Sequence, residues 1–285
     1  MKLTKPAADV FVPGGGDAEE AIARTTHLAV GAHQDDIEFM AVHGILECFR
    51  RSDRSFTGVT VTDGSGSPRS GRYGEVSDEE MRRIRLVEQR TAAQIGDYGC
   101  QLQLGFSSSE VKDPANPGPV ADLEEVLRLA RPEVVYLHNP ADKHDTHVAC
   151  CLRALAALRR LRAEGWPAAV WGCEVWRSLD WVPDEEKVVL TVDVSPNLEA
   201  ALSGVFDSQI AGGKRYDLAV AGRRLANATF FESHAVDRHG RVSFAMDLTP
   251  LVADPTLDVA AHAVALLRRT ERDVRDRILR LGGSG

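Results

Sequence analysis

The stretch THLAVGAHQDDIEF, residues 26–39, constrains this chain more than any other. Residues 28–32 form a short apolar run that reads as a buried strand. It ends in one imidazole and three carboxylates: His33, Asp35, Asp36 and Glu38. Carboxylates at the end of a buried strand are costly unless a positive charge holds them, and the cheapest such charge is a divalent cation with an open coordination position. Such an ion needs more ligands than this segment offers. The chain supplies them later, where residues 134–137 read as a second buried strand and lead into His138, Asp142, His144, Asp145 and His147. Two strand ends are therefore expected to converge on one site.

The remaining pattern predicts how those strands are carried. Residues 37–49 are apolar at helical spacing and predict one helix after the first strand, with Asp35 and Asp36 at its N-terminus, where the dipole favours anions. Residues 56–62 alternate like a strand and run into Asp63-Gly64-Ser65-Gly66-Ser67-Pro68. This is no phosphate loop, because Gly66-Ser67-Pro68-Arg69-Ser70-Gly71 is followed by Arg72 and Tyr73 in place of the lysine and hydroxyl that hold phosphate and magnesium. It is expected to be a mobile loop at the mouth of the site. Ser77 and Glu80 have the form of a capping box and open a helix over 81–95, on which Arg85 and Glu88 read as a solvated pair one turn apart. Residues 101–105 and the proline-containing loop after them show no interpretable period. Helices are predicted over 122–130 and 146–162. Strands and helices alternating in this way predict an α/β fold: Rossmann-like, mostly parallel, with helices on both faces of the sheet and the site at the C-terminal strand ends. A dinucleotide fold would place GxGxxG after the first strand, and AHQDDIE stands there instead.

Composition bounds the partners. A net charge of −8 and a pI near 5.6 argue against nucleic acid or an anionic membrane, and favour a small neutral or cationic substrate. Cys48, Cys100, Cys150, Cys151 and Cys173 are odd in number without CxxC spacing, which fits reduced thiols in a cytoplasm. No apolar run reaches the roughly 18 residues of a membrane span. Residues 1–25 read as an N-terminal arm, and 26–285 as one domain with its metal-site core over 26–165 and a specificity region with a terminal helix over 166–285. In the latter, Trp166, Trp171, Trp176 and Trp181 recur every five residues, a period that fits neither a helix face nor a strand face. Most are expected in the core, with one or two walling a sugar-sized pocket. The polar segment with Lys214 and Arg215, continuing to Arg223, Arg224 and Asn227, is the candidate specificity element or else a basic surface loop. Residues 260–281 predict an amphipathic helix offering a packing or homo-oligomer surface.

Ala32-His33-Gln34-Asp35-Asp36-Ile37-Glu38 resembles the AHPDDxE signature of the PIG-L/LmbE-like deacetylases, and His144-Asp145-Thr146-His147 resembles that family's HPDH motif. Arg85-Leu86-Val87-Glu88, with Ala92 and Gly96, is similar to the family's intervening RxxE helix. Gln34 stands where the family has proline, and Thr146 where it has aspartate. The resemblance implies a metal-dependent amide hydrolase acting on an N-acetylated amino sugar or conjugate. It implies zinc, with iron(II) as the alternative, on His33, Asp36 and His147. By the same resemblance Asp35 removes a proton from water, and His144 donates to the developing oxyanion. Glu38, Asp142 and Asp145 support the ligands from behind, and Arg85 grips substrate hydroxyls. Two other readings stay open: an amidase for a non-sugar or thiol-conjugate amide, and a non-catalytic sugar-binding protein stapled by its metal.

Overall fold

The computed structural model describes residues 1–165 and 167–282. Its centre is an eight-stranded sheet of β1 (Asp9–Phe11), β2 (His27–Gly31), β3 (Phe56–Thr62), β4 (Cys100–Phe106), β5 (Val134–His138), β6 (Ala169–Cys173), β7 (Lys187–Thr191) and β8 (Val242–Asp247). The spatial order is β1-β4-β3-β2-β5-β6-β8-β7. The middle five strands are mutually parallel, while β1 at one edge and β8 near the other run antiparallel to their neighbours. The predicted class is therefore the observed one. Strand order reverses at β2, which pairs with β3 on one side and β5 on the other, and such a switch point opens a crevice beyond the C-terminal strand ends. Both predicted ligand segments emerge there.

The period-two pattern of β2 explains how both faces are covered. Leu28 and Val30 face one core with the helices Gly118–Ala130 and Asp145–Leu161. Ala29 faces the other, with Ile37, Met40, Ile45, Ala92 and Leu202 from the helices Asp36–Met40, Val42–Cys48, Asp78–Ile95 and Pro196–Gly204. The capping box at Ser77 and Glu80 forms as predicted.

Three expectations change. The single helix over 37–49 is broken at Ala41 into Asp36–Met40 and Val42–Cys48. The buried Arg224 guanidinium donates to the carbonyls of Glu38 at 3.2 Å and Phe39 at 2.6 Å, so a side chain takes the acceptors that a continuous helix would use. Residues 100–106, which showed no period, form a central strand. Gln101 and Gln103 are buried there because their amides reach Thr60 Oγ1 at 3.1 Å and the Leu86 carbonyl at 3.1 Å. The pair Arg85 and Glu88 is buried: Glu88 accepts from Ser208 N and Oγ at 2.7 and 2.6 Å.

Of the tryptophans, Trp171, Trp176 and Trp181 are half-buried, so none is a fully enclosed core residue, and Trp166 lies outside the described residues. The terminal helix Val259–Gly282 packs through Ala263 and Leu266 and exposes Leu267, Val274 and Ile278. No helix among the described residues is long and apolar enough to cross a membrane.

Candidate metal centre

The cluster is built where β2 and β5 end. Asp36 begins its helix buried, and its Oδ2 accepts the backbone N–H of His33 at 2.7 Å, folding the carboxylate back over the strand end. His33 Nδ1 lies 3.2 Å from Asp36 Oδ2 and 3.2 Å from His147 Nε2, and His147 Nε2 lies 3.3 Å from Asp36 Oδ1. Atoms held about 2.0–2.1 Å from a tetrahedral zinc stand about 3.3 Å apart, so His33 Nδ1 and His147 Nε2 have the spacing of two zinc ligands, with a different Asp36 oxygen at that distance from each. Asp142 Oδ2 stands 3.4 Å from His147 Nδ1. A proton on Nδ1 leaves the Nε2 lone pair facing Asp36, and two acceptors at that separation repel unless a cation lies between them.

Among the described residues, the groups spaced to hold an ion are His33, His144 and His147, and Asp36, His138 and His147. His138 is less suited than its position implies. Its Nε2, 3.3 Å from Asp36 Oδ2, accepts the Ala32 N–H at 2.9 Å, so its lone pair is engaged. His138 is fully buried and stacks on His147 with ring centroids 3.9 Å apart. Sequence reasoning placed it in the histidine cluster but gave it no role. Its position as the last residue of a buried strand was the available signal.

Burial works to raise the Asp36 carboxyl, yet the neighbouring His147 and His138 imidazoles hold it well below the usual range. Burial pushes the His147 imidazole down to about 4 against the pull of Asp36. Asp35 is raised to about 7, chiefly by burial, with Arg85 opposing and Asp36 reinforcing the shift. Its backbone sits at φ 95°, an uncommon region for a non-glycine residue, at a cost of about 1–3 kcal/mol. Gln89 Oε1 accepts its N–H at 3.3 Å, and Arg85 Nη2 lies 3.3 Å from its Oδ2. His144 stacks on His147 at 4.4 Å and meets His33 edge-on at 5.0 Å; its Nδ1 is buried without a hydrogen-bond partner. Burial first, then His33, lowers its pKa.

The other predicted residues separate. Asp142 stands behind His147 and also accepts the backbone N–H groups of Lys143 at 2.6 Å, His144 at 3.2 Å and Trp176 at 3.2 Å. Glu38 is fully buried and set back from the cluster, where Tyr98 Oη at 2.7 Å and Gln89 Nε2 at 2.8 Å donate to it; burial raises its pKa to about 7. Asp145 is exposed and apart from the cluster. Arg85 is buried, with Nη2 on the Gln34 carbonyl and with Nε and Nη1 lacking hydrogen-bond partners. Gln34 fills its site with an amide that donates to the Thr62 carbonyl and Gln103 Oε1, both at 3.1 Å. Thr146 is buried and lines the cavity above the cluster.

That cavity measures about 970 Å³, at the upper end of small-molecule sites. His33, Asp35, Asp36, Arg85, His144 and His147 form its floor, and Lys214, Arg215 and Arg223 contribute to its walls. Trp176 also lines it, within 6.2 Å of the His144 ring, so one of the tryptophans walls the pocket. Arg224 does not line it: the buried cation pairs with Glu199 at 2.6 Å.

Comparison with known proteins agrees with this geometry. The PIG-L family, described as GlcNAc-PI de-N-acetylase, matches residues 28–158. A search of curated proteins finds no match. Among solved structures, the 4-carboxy-2-hydroxymuconate hydratase GalB from Pseudomonas putida KT2440 is similar with TM-score 0.61 and 18% identity, covering 79% of this chain and 96% of GalB. N,N'-diacetylchitobiose deacetylase from Pyrococcus horikoshii is similar with TM-score 0.57 and 14% identity, over 77% of this chain and 83% of its own. The A40926 pseudoaglycone deacetylase Dbv21 gives TM-score 0.55 and 17% identity, over 79% and 97%. At these identities the three establish a shared fold. Residues 28–158, which carry every residue of the cluster, are a PIG-L family domain.

Proposed function

We propose that this protein is a metal-dependent hydrolase that removes the acetyl group from the nitrogen of an N-acetylated amino sugar or sugar conjugate. The observation that carries the reading is the convergence of His33 Nδ1, His147 Nε2 and the Asp36 carboxylate on the floor of a sugar-sized cavity, in a family described as a de-N-acetylase. These three residues would hold the ion, with zinc favoured by the two nitrogens and one oxygen and iron(II) compatible with the same set. An ion there supplies a Lewis acid that polarises a carbonyl and brings the pKa of water toward about 7.

The remaining work belongs to the chain. Asp142 keeps His147 in the tautomer whose Nε2 faces the cluster. Asp35, fixed by Gln89 and Arg85 beside the ligands, accepts a proton from the attacking water as its oxygen bonds to the acetamide carbon. His144, open to the cavity, donates a hydrogen bond to the carbonyl oxygen as negative charge develops there. The carbon–nitrogen bond then breaks as the amine nitrogen takes the proton that Asp35 had accepted, and acetate departs. Arg85 braces Asp35 from below, and Trp176 offers a flat face for a sugar ring.

The test is release of primary amine from a panel of N-acetylated sugars, with and without chelator. Chelator-sensitive release sustains the proposal. A fold does not choose a chemistry, and the hydratase GalB shares this one. The panel therefore includes an unsaturated carboxylic acid: its hydration without amine release would replace the deacetylase reading.

A further inference from the structure

Asp35 opens the helix Asp36–Met40 in an unusual way. An aspartate at that position ordinarily takes an extended backbone and folds its carboxylate onto the first free N–H groups of the helix. Here the backbone lies at φ 95°, the side chain caps nothing, and Asp35 lines the cavity beside the cluster instead. The strained backbone is what releases this carboxylate from a capping task. Relaxation toward the extended region would turn it away from the cavity, so the conformation needs a hold.

That hold comes from one face of the helix Asp78–Ile95. The peptide between Gln34 and Asp35 has both polar ends taken by side chains one turn apart: Arg85 donates to the Gln34 carbonyl, and Gln89 Oε1 accepts the Asp35 N–H at 3.3 Å. Gln89 carries both an oxygen and an NH2 group, and it serves Asp35 only with the oxygen turned that way. Its orientation is set from behind, where Gln89 Nε2 donates to Glu38 Oε1 at 2.8 Å and Tyr98 Oη donates to the same oxygen at 2.7 Å. Tyr98 is buried edge-on against Phe56 at 4.7 Å, and a Cβ at Gly96 would lie 2.4 Å from its ring, so the ring has a fitted place. The hydroxyl pins Glu38, Glu38 takes the NH2 of Gln89, and the Gln89 oxygen is left for Asp35. Neither Gln89 nor Tyr98 lines the cavity.

We propose that Gln89 and Tyr98 are positioning residues for the hydrolysis: Gln89 keeps Asp35 at positive φ through its N–H, and Tyr98, acting through Glu38, keeps the Gln89 oxygen turned to that N–H. The reaction they serve rests on the deacetylase reading; the hold on Asp35 does not.

Kinetics of Gln89→Met and Tyr98→Phe on the N-acetylated sugar that the wild type hydrolyses best test it. The expected result is a kcat lower by about 10–100-fold in Gln89→Met and by less in Tyr98→Phe, with KM and zinc content unchanged in both. In an Asp35→Asn background Gln89→Met brings no further loss, because its effect passes through the Asp35 carboxylate. Wild-type kcat in either variant overturns the role of the residue replaced, and an equal fractional loss in both backgrounds overturns the proposal. Amide hydrogen exchange at Asp35, followed by NMR, reads the hold without turnover: it quickens by about tenfold or more in both variants while exchange at residues 28–30 stays as in wild type. Should no sugar of the panel be hydrolysed, the deacetylase reading fails and exchange decides alone. Quickened exchange then sustains the hold on Asp35, and exchange equal to wild type overturns it. Should Gln89→Met not fold, Tyr98→Phe, which removes a single oxygen atom, carries the same comparisons.

Discussion

Asp36 turns both of its oxygens toward imidazoles, with His33 and His138 on Oδ2 and His147 on Oδ1, and Asp142 holds the far side of His147. Asp35, one residue earlier, has a different neighbour in Arg85. The two roles proposed for these carboxylates predict opposite defects. Asp142→Asn should weaken metal affinity by about 10–100-fold, read by competition with a chelator. Asp35→Asn should retain the metal but lose about 10²–10⁴-fold in kcat. Metal loss in Asp35→Asn would instead make it a ligand. The motif residues were legible in sequence because both segments pair a strand end with acids and histidines. The role of His138 was not, since its engagement is with a backbone N–H of Ala32, which no side-chain pattern reveals. Glu88 was misread as solvated because its partner, Ser208, lies far along the chain.

Among the elements, the break at Ala41 shows a long-range contact overriding local periodicity. Arg224 reaches under the helix Asp36–Met40 to the Glu38 and Phe39 carbonyls and pairs with buried Glu199. Arg224→Met leaves Glu199 buried without that partner and should cost about 3–5 kcal/mol, measured by urea unfolding. Adding Glu199→Gln should recover part of the loss, whereas strictly additive losses would mean the two residues act separately. Strands with apolar runs, such as β2, β3 and β5, could be read directly. The strand Cys100–Phe106 could not, because buried glutamines whose amides donate to partners on β3 and the helix Asp78–Ile95 break the expected pattern.

Over the whole molecule, the parallel centre of the sheet was inferable from the alternation of strands and helices. The two antiparallel flanks were not, since they depend on β1, β7 and β8 pairing across long separations. Global stability carries a pH signature from His27, whose buried imidazole is pushed down to about 4, mainly by burial. Between about 6.5 and 4 the unfolded chain binds a proton that the folded chain refuses. His27 thus contributes its full stability above about pH 6.5 and loses it as pH falls through that window, by at most about 3 kcal/mol. His27→Gln should flatten the fall in urea midpoint from pH 7 to 4 relative to wild type; parallel curves would contradict this.

The central claim is that His33, Asp36 and His147 form a metal site in a de-N-acetylase domain. The most direct test is metal content by mass spectrometry on wild type and Asp36→Ala, each reconstituted with zinc and desalted. The account predicts about one tightly held ion per chain in wild type and near none in the variant. Equal metal content in the two proteins, or none in either, would contradict it.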